Sequence, residues 1–181
     1  MKYSDDKIHV VYAGTFDPRK GGATAAAATE WLSEKYHIHI LGFGSSNDTE
    51  HIKKVIQNTN EKSKATVTYD GLLSGEDYIQ FLQKCQIGLS TQNPDADFNS
   101  TSFPSKILSY MANGLRVVTI RIPAIESSDV GQNLYYYDNQ TPQDIAKAIM
   151  SVDLNDGYDG RVRIAELDKQ FRNDLKILLG E

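Results

Sequence analysis

The sequence predicts a single α/β domain, a doubly wound Rossmann-like parallel sheet of six strands. Three observations predict it. Short β-prone runs alternate with helical segments from Ile8 onward. Several of those runs are apolar nearly throughout, the pattern of strands covered by helices on both faces. Glycine or polar turns close most of the strands, where right-handed crossovers leave a parallel sheet.

Each element follows from its residues. Ile8-His9-Val10-Val11-Tyr12-Ala13 is a buried strand ending at Gly14. The Ala-rich stretch from Ala23 to Tyr36, with Trp31 and Leu32 near its end, predicts a helix. His37 to Gly44 is the second strand, with a glycine-rich exit. Ile52, Val55 and Ile56 stand at i, i+3 and i+4 and predict an amphipathic helix over 48–58. Thr66 to Tyr69 is strand three. Ser74 is placed to cap a helix carrying Tyr78, Phe81 and Leu82. Ile87 to Ser90 is strand four, followed by a polar loop from Thr91 to Ser102. Pro104 suits the first position of a helix that Gly114 ends. Val117–Ile120 and Leu134–Tyr137 are strands five and six, and Thr141 opens a helix to about Met150. The polar break from Asp153 to Gly160 separates a Rossmann-like unit, residues 1–152, from a C-terminal amphipathic helix within 153–181. In that helix Ile164, Leu167, Phe171, Leu175 and Leu178 form an apolar stripe that must cover this sheet or a partner domain.

Composition narrows the function classes. The chain has 181 residues, 40% of them hydrophobic and 24% charged, ordinary for a soluble globular domain. No run approaches the ~20 apolar residues of a membrane span. The first residues lack the apolar stretch of a signal peptide. The lone Cys85 excludes an internal disulfide framework, so a reducing, cytoplasmic setting is expected. A net charge of -5 argues against nucleic acid as the main partner. A few placed cations could still hold a phosphate.

Two segments could do so. Gly14-Thr15-Phe16-Asp17-Pro18-Arg19-Lys20-Gly21-Gly22 is a glycine-rich strand-to-helix turn with Arg19 and Lys20 at its lip. Such turns present backbone N–H groups to an anion. The turn matches neither the dinucleotide fingerprint nor the phosphate loop ending in Gly-Lys-Ser/Thr. Alone, it reads equally as an exposed turn with incidental cations. The second segment runs from Thr101 to Val118. Its hydroxyls and N–H groups sit at the carboxyl end of strand four, with Lys106 on the first helical turn. A lysine there opposes the helix macrodipole, which a bound anion would explain. A solvated lysine is the plain alternative.

Together the two segments resemble the C-terminal, nucleotide-sugar-binding domain of retaining GT-B glycosyltransferases, the family-4, group-1 type. Gly14 to Lys20-Gly21 matches the family's diphosphate-holding segment, Gly-x-x-x-x-x-Lys-Gly. Phe103-Pro104-Ser105-Lys106-Ile107-Leu108-Ser109-Tyr110-Met111-Ala112-Asn113-Gly114 through Val118 resembles its phosphate-and-ribose segment. Leu41–Gly44, Val67–Gly71 and Tyr78–Ser90 support the match.

The resemblance implies a nucleoside-diphosphate sugar, UDP- or GDP-linked, as donor substrate, and a hexose passed with retention to a glycan or lipid-linked acceptor in polysaccharide assembly. It implies Lys20 and Lys106 as the catalytic cations. Gly14, Thr15, Arg19, Gly44, Thr101, Ser102, Phe103, Pro104 and Ser105 would line the donor site. The ribose would lie near Ser109 and the base near Gly71 and Leu72. No cofactor and no metal are implied. The acceptor would be held by a preceding Rossmann-like domain, which this chain is expected to lack. Without it no transfer is expected, and any membrane contact would be peripheral, through that other half.

Departures stand out. Thr15 replaces a frequent arginine, Ser109 replaces the glutamate that grips the ribose, and Thr101 replaces its companion glutamate. A neutral contact is weaker than a charge-assisted one by ~1 kcal/mol, so the donor would be weakly held or unusual. A non-catalytic GT-B-like interaction domain and a UDP-sugar 2-epimerase-like fragment are the alternatives.

The remaining polar residues read as structure. Asp95-Ala96-Asp97 resembles a metal-chelating pair but lies in a polar loop. Asp153 to Gly157 fails the calcium-loop spacing. His9, His37, His39 and His51 show no pairing at ligand spacing and read as strand or surface histidines. Cys85 reads as a small core residue, and Tyr135–Tyr137 as strand packing with nothing basic around it. Sequons at Asn47 and Asn99 carry no weight without a secretory signal.

Overall fold

Six parallel strands hydrogen-bond in the order β3-β2-β1-β4-β5-β6 in the computed structural model, which describes residues 2–97 and 103–180. The strands are β1 (Ile8–Thr15), β2 (Tyr36–Phe43), β3 (Thr66–Gly71), β4 (Ile87–Ser90), β5 (Arg116–Ile120) and β6 (Tyr135–Tyr137). The first run is apolar because β1 is central: Val10, Val11 and Tyr12 are fully buried. The chain winds outward from β1 to β3, then returns to the other side of β1 at β4. A crevice therefore opens at the carboxyl ends of β1 and β4, where the winding reverses.

The helices are α1 (Gly22–Ala27), α2 (Ser46–Asn60), α3 (Gly75–Lys84), α4 (Lys106–Ala112), α5 (Pro123–Glu126), α6 (Pro142–Met150) and α7 (Gly160–Leu179). Ser45 caps α2 and Thr141 caps α6, each accepting a backbone N–H from a residue three positions on. Three expectations are corrected. The helix expected over 23–36 ends at Ala27 and continues as a 3-10 turn over Ala28–Trp31. There Leu32 turns extended to reach the core, 4% exposed, and helix propensity yields to its burial. Pro104 stands two residues before α4, its carbonyl accepting the Ile107 N–H in a tighter turn. Ser74 occupies the cap position of α3, but its hydroxyl makes no capping bond.

Alternation along the strands assigns the faces. Gly88 pairs with Val11, and a Cβ on Gly88 would lie 2.4 Å from the Tyr110 ring, so α4 packs directly on that face. Phe81 of α3 stands edge-on over His39 on the same face, since His39 also pairs with Val11. α1, α2 and α6 pack together on the other. Cys85 is fully buried, as a core residue should be. The tyrosines of β6 make strand contacts, with Tyr136 donating to the Gly131 carbonyl. A cation is nonetheless present, for Arg121 lies over the Tyr136 ring at 4.6 Å.

The last segment is tied down by Arg116. Its guanidinium, buried at the start of β5, donates to the Asp153 and Tyr158 carbonyls and the Asp156 carboxylate. α7 then packs on α4, with Gly160 against the Met111 backbone. Only the first half of the apolar stripe is covered: Ile164 and Leu167 pack on the core, while Phe171 and Leu178 are 65% and 82% exposed.

Candidate functional site

The crevice at the switch point is shaped by two tyrosines. Tyr12, buried under the β1 turn, donates its hydroxyl to the Thr15 carbonyl at 2.9 Å and approaches the Lys20 carbonyl at 3.3 Å. This folds residues 15–20 back over the strand end. Tyr110 of α4 accepts the Ala13 N–H at 2.9 Å, just past the point where β1 and β4 stop pairing. An N–H that would otherwise be buried without a partner is thereby satisfied. The bond also fixes α4 against the end of β1.

Lys106 is delivered into the crevice by that contact. Its ammonium stands over the Tyr12 ring, 4.4 Å from the centroid. A Cβ on Gly14 would lie only 2.8 Å from Nζ, so a side chain there would push the ammonium aside. Burial, and then the charge of Lys20, lower the Lys106 pKa to about 8. A cleft of about 210 Å³ is lined by Gly14, Thr15, Lys20, Gln92, Phe103, Pro104, Ser105 and Lys106. A second hollow of about 220 Å³ shares Gly14 and Thr15 and runs on between Gly42, Phe43, Leu72, Leu73 and Tyr78. The first is polar and cationic, the second mostly apolar. Side by side, they suit an anionic group joined to a flat apolar one.

Eight of the expected residues thus line one cleft or the other: Gly14, Thr15, Lys20, Phe103, Pro104, Ser105 and Lys106 line the first, and Leu72 lines the second. Gly71, with φ of 80°, turns the chain beside Leu72 outside the lining. Ser109 also stands outside it, near enough to the Tyr78 phenol of the apolar hollow to counter in part the upward push that burial gives its pKa. Arg19 is not brought in. It folds onto Asp17 in a two-pronged ion pair, with Nε 3.0 Å from Oδ1. Gly44 packs between Phe16 and Asp48, away from both clefts. Thr101 and Ser102 lie outside the described residues.

Tyr12, Tyr78 and Gln92 were missed. Gln92 is buried at the mouth of the loop after β4 and gave no signal, because that loop reads as uniformly polar. Tyr12 reads as strand core, and its role rests on a hydroxyl that periodicity does not see. The histidine reading is corrected as well. His9, His37 and His39 come together on one sheet face, with one ring nitrogen of each within 4.8 Å of the others. Two residues apart on a strand, His37 and His39 must share a face. The pairing of His9 with His37 across β1 and β2 supplies the third.

The winding, the crevice and its two lysines define a Rossmann-type domain with a lysine-lined cleft at the switch point. Residues 7–153 match the family model of glycosyl transferases group 1, and the chain belongs to that family. Solved structures share the fold. The C-terminal domain of a group 1 glycosyl transferase from Francisella tularensis aligns at TM-score 0.68 and 16% identity, over 88% of this chain and 85% of that one. The catalytic domain of the cholesterol-alpha-glucosyltransferase of Helicobacter pylori aligns at 0.64 and 14%, over 92% and 98%. An Anabaena protein in complex with UDP and glucose aligns at 0.69 and 16%, over 94% of this chain but 48% of its own length. The chain therefore spans about half of the Anabaena protein. No curated protein matches the sequence. Among the described residues no helix is long and apolar enough to cross a membrane.

Proposed function

We propose that this domain binds a nucleoside-diphosphate sugar and serves as the donor half of a retaining hexosyltransferase acting on a glycan or lipid-linked acceptor. The observation that carries the reading is the Lys106 ammonium, held over Tyr12 against Gly14 and facing the same cleft as Lys20. Burial and a neighbouring cation both oppose its charge. The negative charge of a diphosphate in the cleft would offset both. The base would enter the apolar hollow past Leu72 and Phe43, and the ribose would approach Tyr78 and Ser109. UDP is the first nucleotide to test, since a fold neighbour was solved with it.

Chemically, the domain would act by charge placement. As the sugar–oxygen bond breaks, negative charge gathers on the leaving diphosphate, and Lys20 and Lys106 stand where it develops. Cations fixed in advance in a partly dry cleft favour that transition state over the ground state. The acceptor would be held by a second domain.

Thermal melting against UDP, GDP, ADP and inorganic phosphate tests the reading. A shift with UDP or GDP, larger than with phosphate alone, is expected. No shift with any nucleotide refutes it and favours a non-catalytic interaction domain. That second reading draws on Thr15, Thr101 and Ser109, neutral residues where the family's segments carry charged ones.

A further inference from the structure

A second cluster of chemistry-bearing side chains lies on β1 and β2, about 17 Å down the strand from Gly14 at 3.3–3.4 Å per residue. His9 and His39 are 1% and 3% exposed, under the Tyr3 ring, which stacks on His9 at a centroid distance of 3.9 Å. His9 Nε2 lies 2.8 Å from Asp5 Oδ1, and His39 Nδ1 lies 3.1 Å from Asp70 Oδ2. Between the rings, His9 Nδ1 and His39 Nε2 are 2.8 Å apart.

Counting protons along this chain leaves a gap. An ionised carboxylate only accepts, and a neutral imidazole has one N–H and one lone pair. Asp5 takes the Nε2–H of His9, and Asp70 takes the Nδ1–H of His39. The two nitrogens that face each other are then both bare lone pairs, and at 2.8 Å they repel unless an electrophile sits between them. His37 adds a third donor. Its Nε2 meets Thr68 Oγ1 at 3.0 Å, and the Thr68 hydroxyl proton goes to Asp70 at 2.7 Å. Thr68 therefore accepts from His37, leaving Nδ1 of His37 as its lone pair.

We propose that His9, His37 and His39 form a binding site for a divalent transition metal of the zinc class, with Asp5 and Asp70 as outer carboxylates. Three imidazoles suit Zn²⁺, Cu²⁺ or Ni²⁺ rather than the oxygen-seeking Mg²⁺ or Ca²⁺. Outer N–H groups held by carboxylates are the arrangement that fixes a ligating histidine's tautomer and ring direction. Zinc–nitrogen bonds of 2.0–2.1 Å in a tetrahedron need nitrogens about 3.3 Å apart, so the His9–His39 contact opens by roughly 0.5 Å on binding. The two aspartates supply the charge a divalent ion balances. The metal would clasp the segment carrying Tyr3 and Asp5 to three strands at once.

The test uses the full, tag-free chain, chelator-treated and then titrated with zinc sulfate. One zinc per chain is expected by equilibrium dialysis at micromolar free metal, with a rise in melting temperature. In ¹⁵N spectra of the histidine side chains, His9 Nδ1, His39 Nε2 and His37 Nδ1 shift on binding. His9 Nε2, His39 Nδ1 and His37 Nε2 keep their protons. His39→Gln loses the zinc, while His51→Gln, on the exposed face of α2, keeps it. Lys106→Met keeps it too, which separates this site from the diphosphate cleft. If His39→Gln does not fold, the wild-type spectra decide alone. Absence of stoichiometric zinc, or a proton shared by His9 and His39 that zinc does not displace, overturns the proposal.

Discussion

Replacing Lys106 by methionine separates what this residue does for folding from what it does for binding. The methionine keeps the aliphatic stem and removes the charge. In the folded protein burial and Lys20 lower the Lys106 pKa from 10.5 to about 8. The unfolded chain thus binds the proton across the window from about 8 to 10.5, and the folded chain does not. Stability therefore rises with pH through that window, and at neutral pH the protonated lysine opposes folding. Lys106→Met is accordingly expected to melt at the wild-type temperature or above at pH 7, despite losing its contact with Tyr12. Ligand binding moves the other way. A diphosphate at 100 times its dissociation constant stabilises the wild type by about 2.7 kcal/mol. For a domain of this size that is a shift of about 5–11 °C. Losing a charge-assisted contact costs about 1.5–3 kcal/mol, or roughly 13- to 160-fold in affinity. At the same ligand concentration the stabilisation falls to about 0.3–1.3 kcal/mol. Differential scanning calorimetry with and without UDP reads both effects. A ligand-free variant that melts several degrees below wild type, or one that keeps the full ligand shift, refutes the argument.

Other outcomes follow from the same geometry. Diphosphate affinity should fall as pH rises above about 8, where free Lys106 loses its proton; in Lys106→Arg titration calorimetry should show it flat to higher pH. Tyr110→Phe orphans the Ala13 N–H and should cost about 1–3 kcal/mol by urea denaturation, with weaker diphosphate binding besides. Gly42→Ala places a Cβ 1.7 Å from the Gly14 carbonyl oxygen at a φ of 140°. It should cost more than about 3 kcal/mol, beyond backbone strain alone. Gly75→Ala, with φ of 56° but open space around it, should cost only about 1–2 kcal/mol in the same assay. Arg116→Met removes the clasp on residues 153–158. Hydrogen exchange of α7 should rise while that of β1 stays unchanged.

The alternation of strands and helices was legible because the central strands are apolar on both faces, which only a doubly covered sheet requires. That Lys20 and Lys106 share a cleft was legible too, since both segments follow strands that flank the switch point and a lysine opening a helix opposes its macrodipole. Other features depended on contacts between distant segments. The end of α1 is set by Leu32 reaching the core, against the preference of its alanines. Arg19 looked as available as Lys20, yet Asp17, two residues before it, takes its guanidinium. The histidine cluster needed the register of β1 against β2, which no single strand states.

One contact also constrains how sequences like this one can diverge. The Tyr110 ring occupies the space that any side chain at position 88 would need, at 2.4–2.5 Å from a Cβ built there. The two positions are therefore linked across 22 residues of chain. A relative that carries alanine or larger at the place of Gly88 must carry a smaller residue at the place of Tyr110. It then gives up the hydroxyl that holds the end of β1. Such a relative needs another way to seat its lysine, or has no use for one. Gly88 and Tyr110 are thus a single choice written at two places in the chain, and neither can be changed without settling the other.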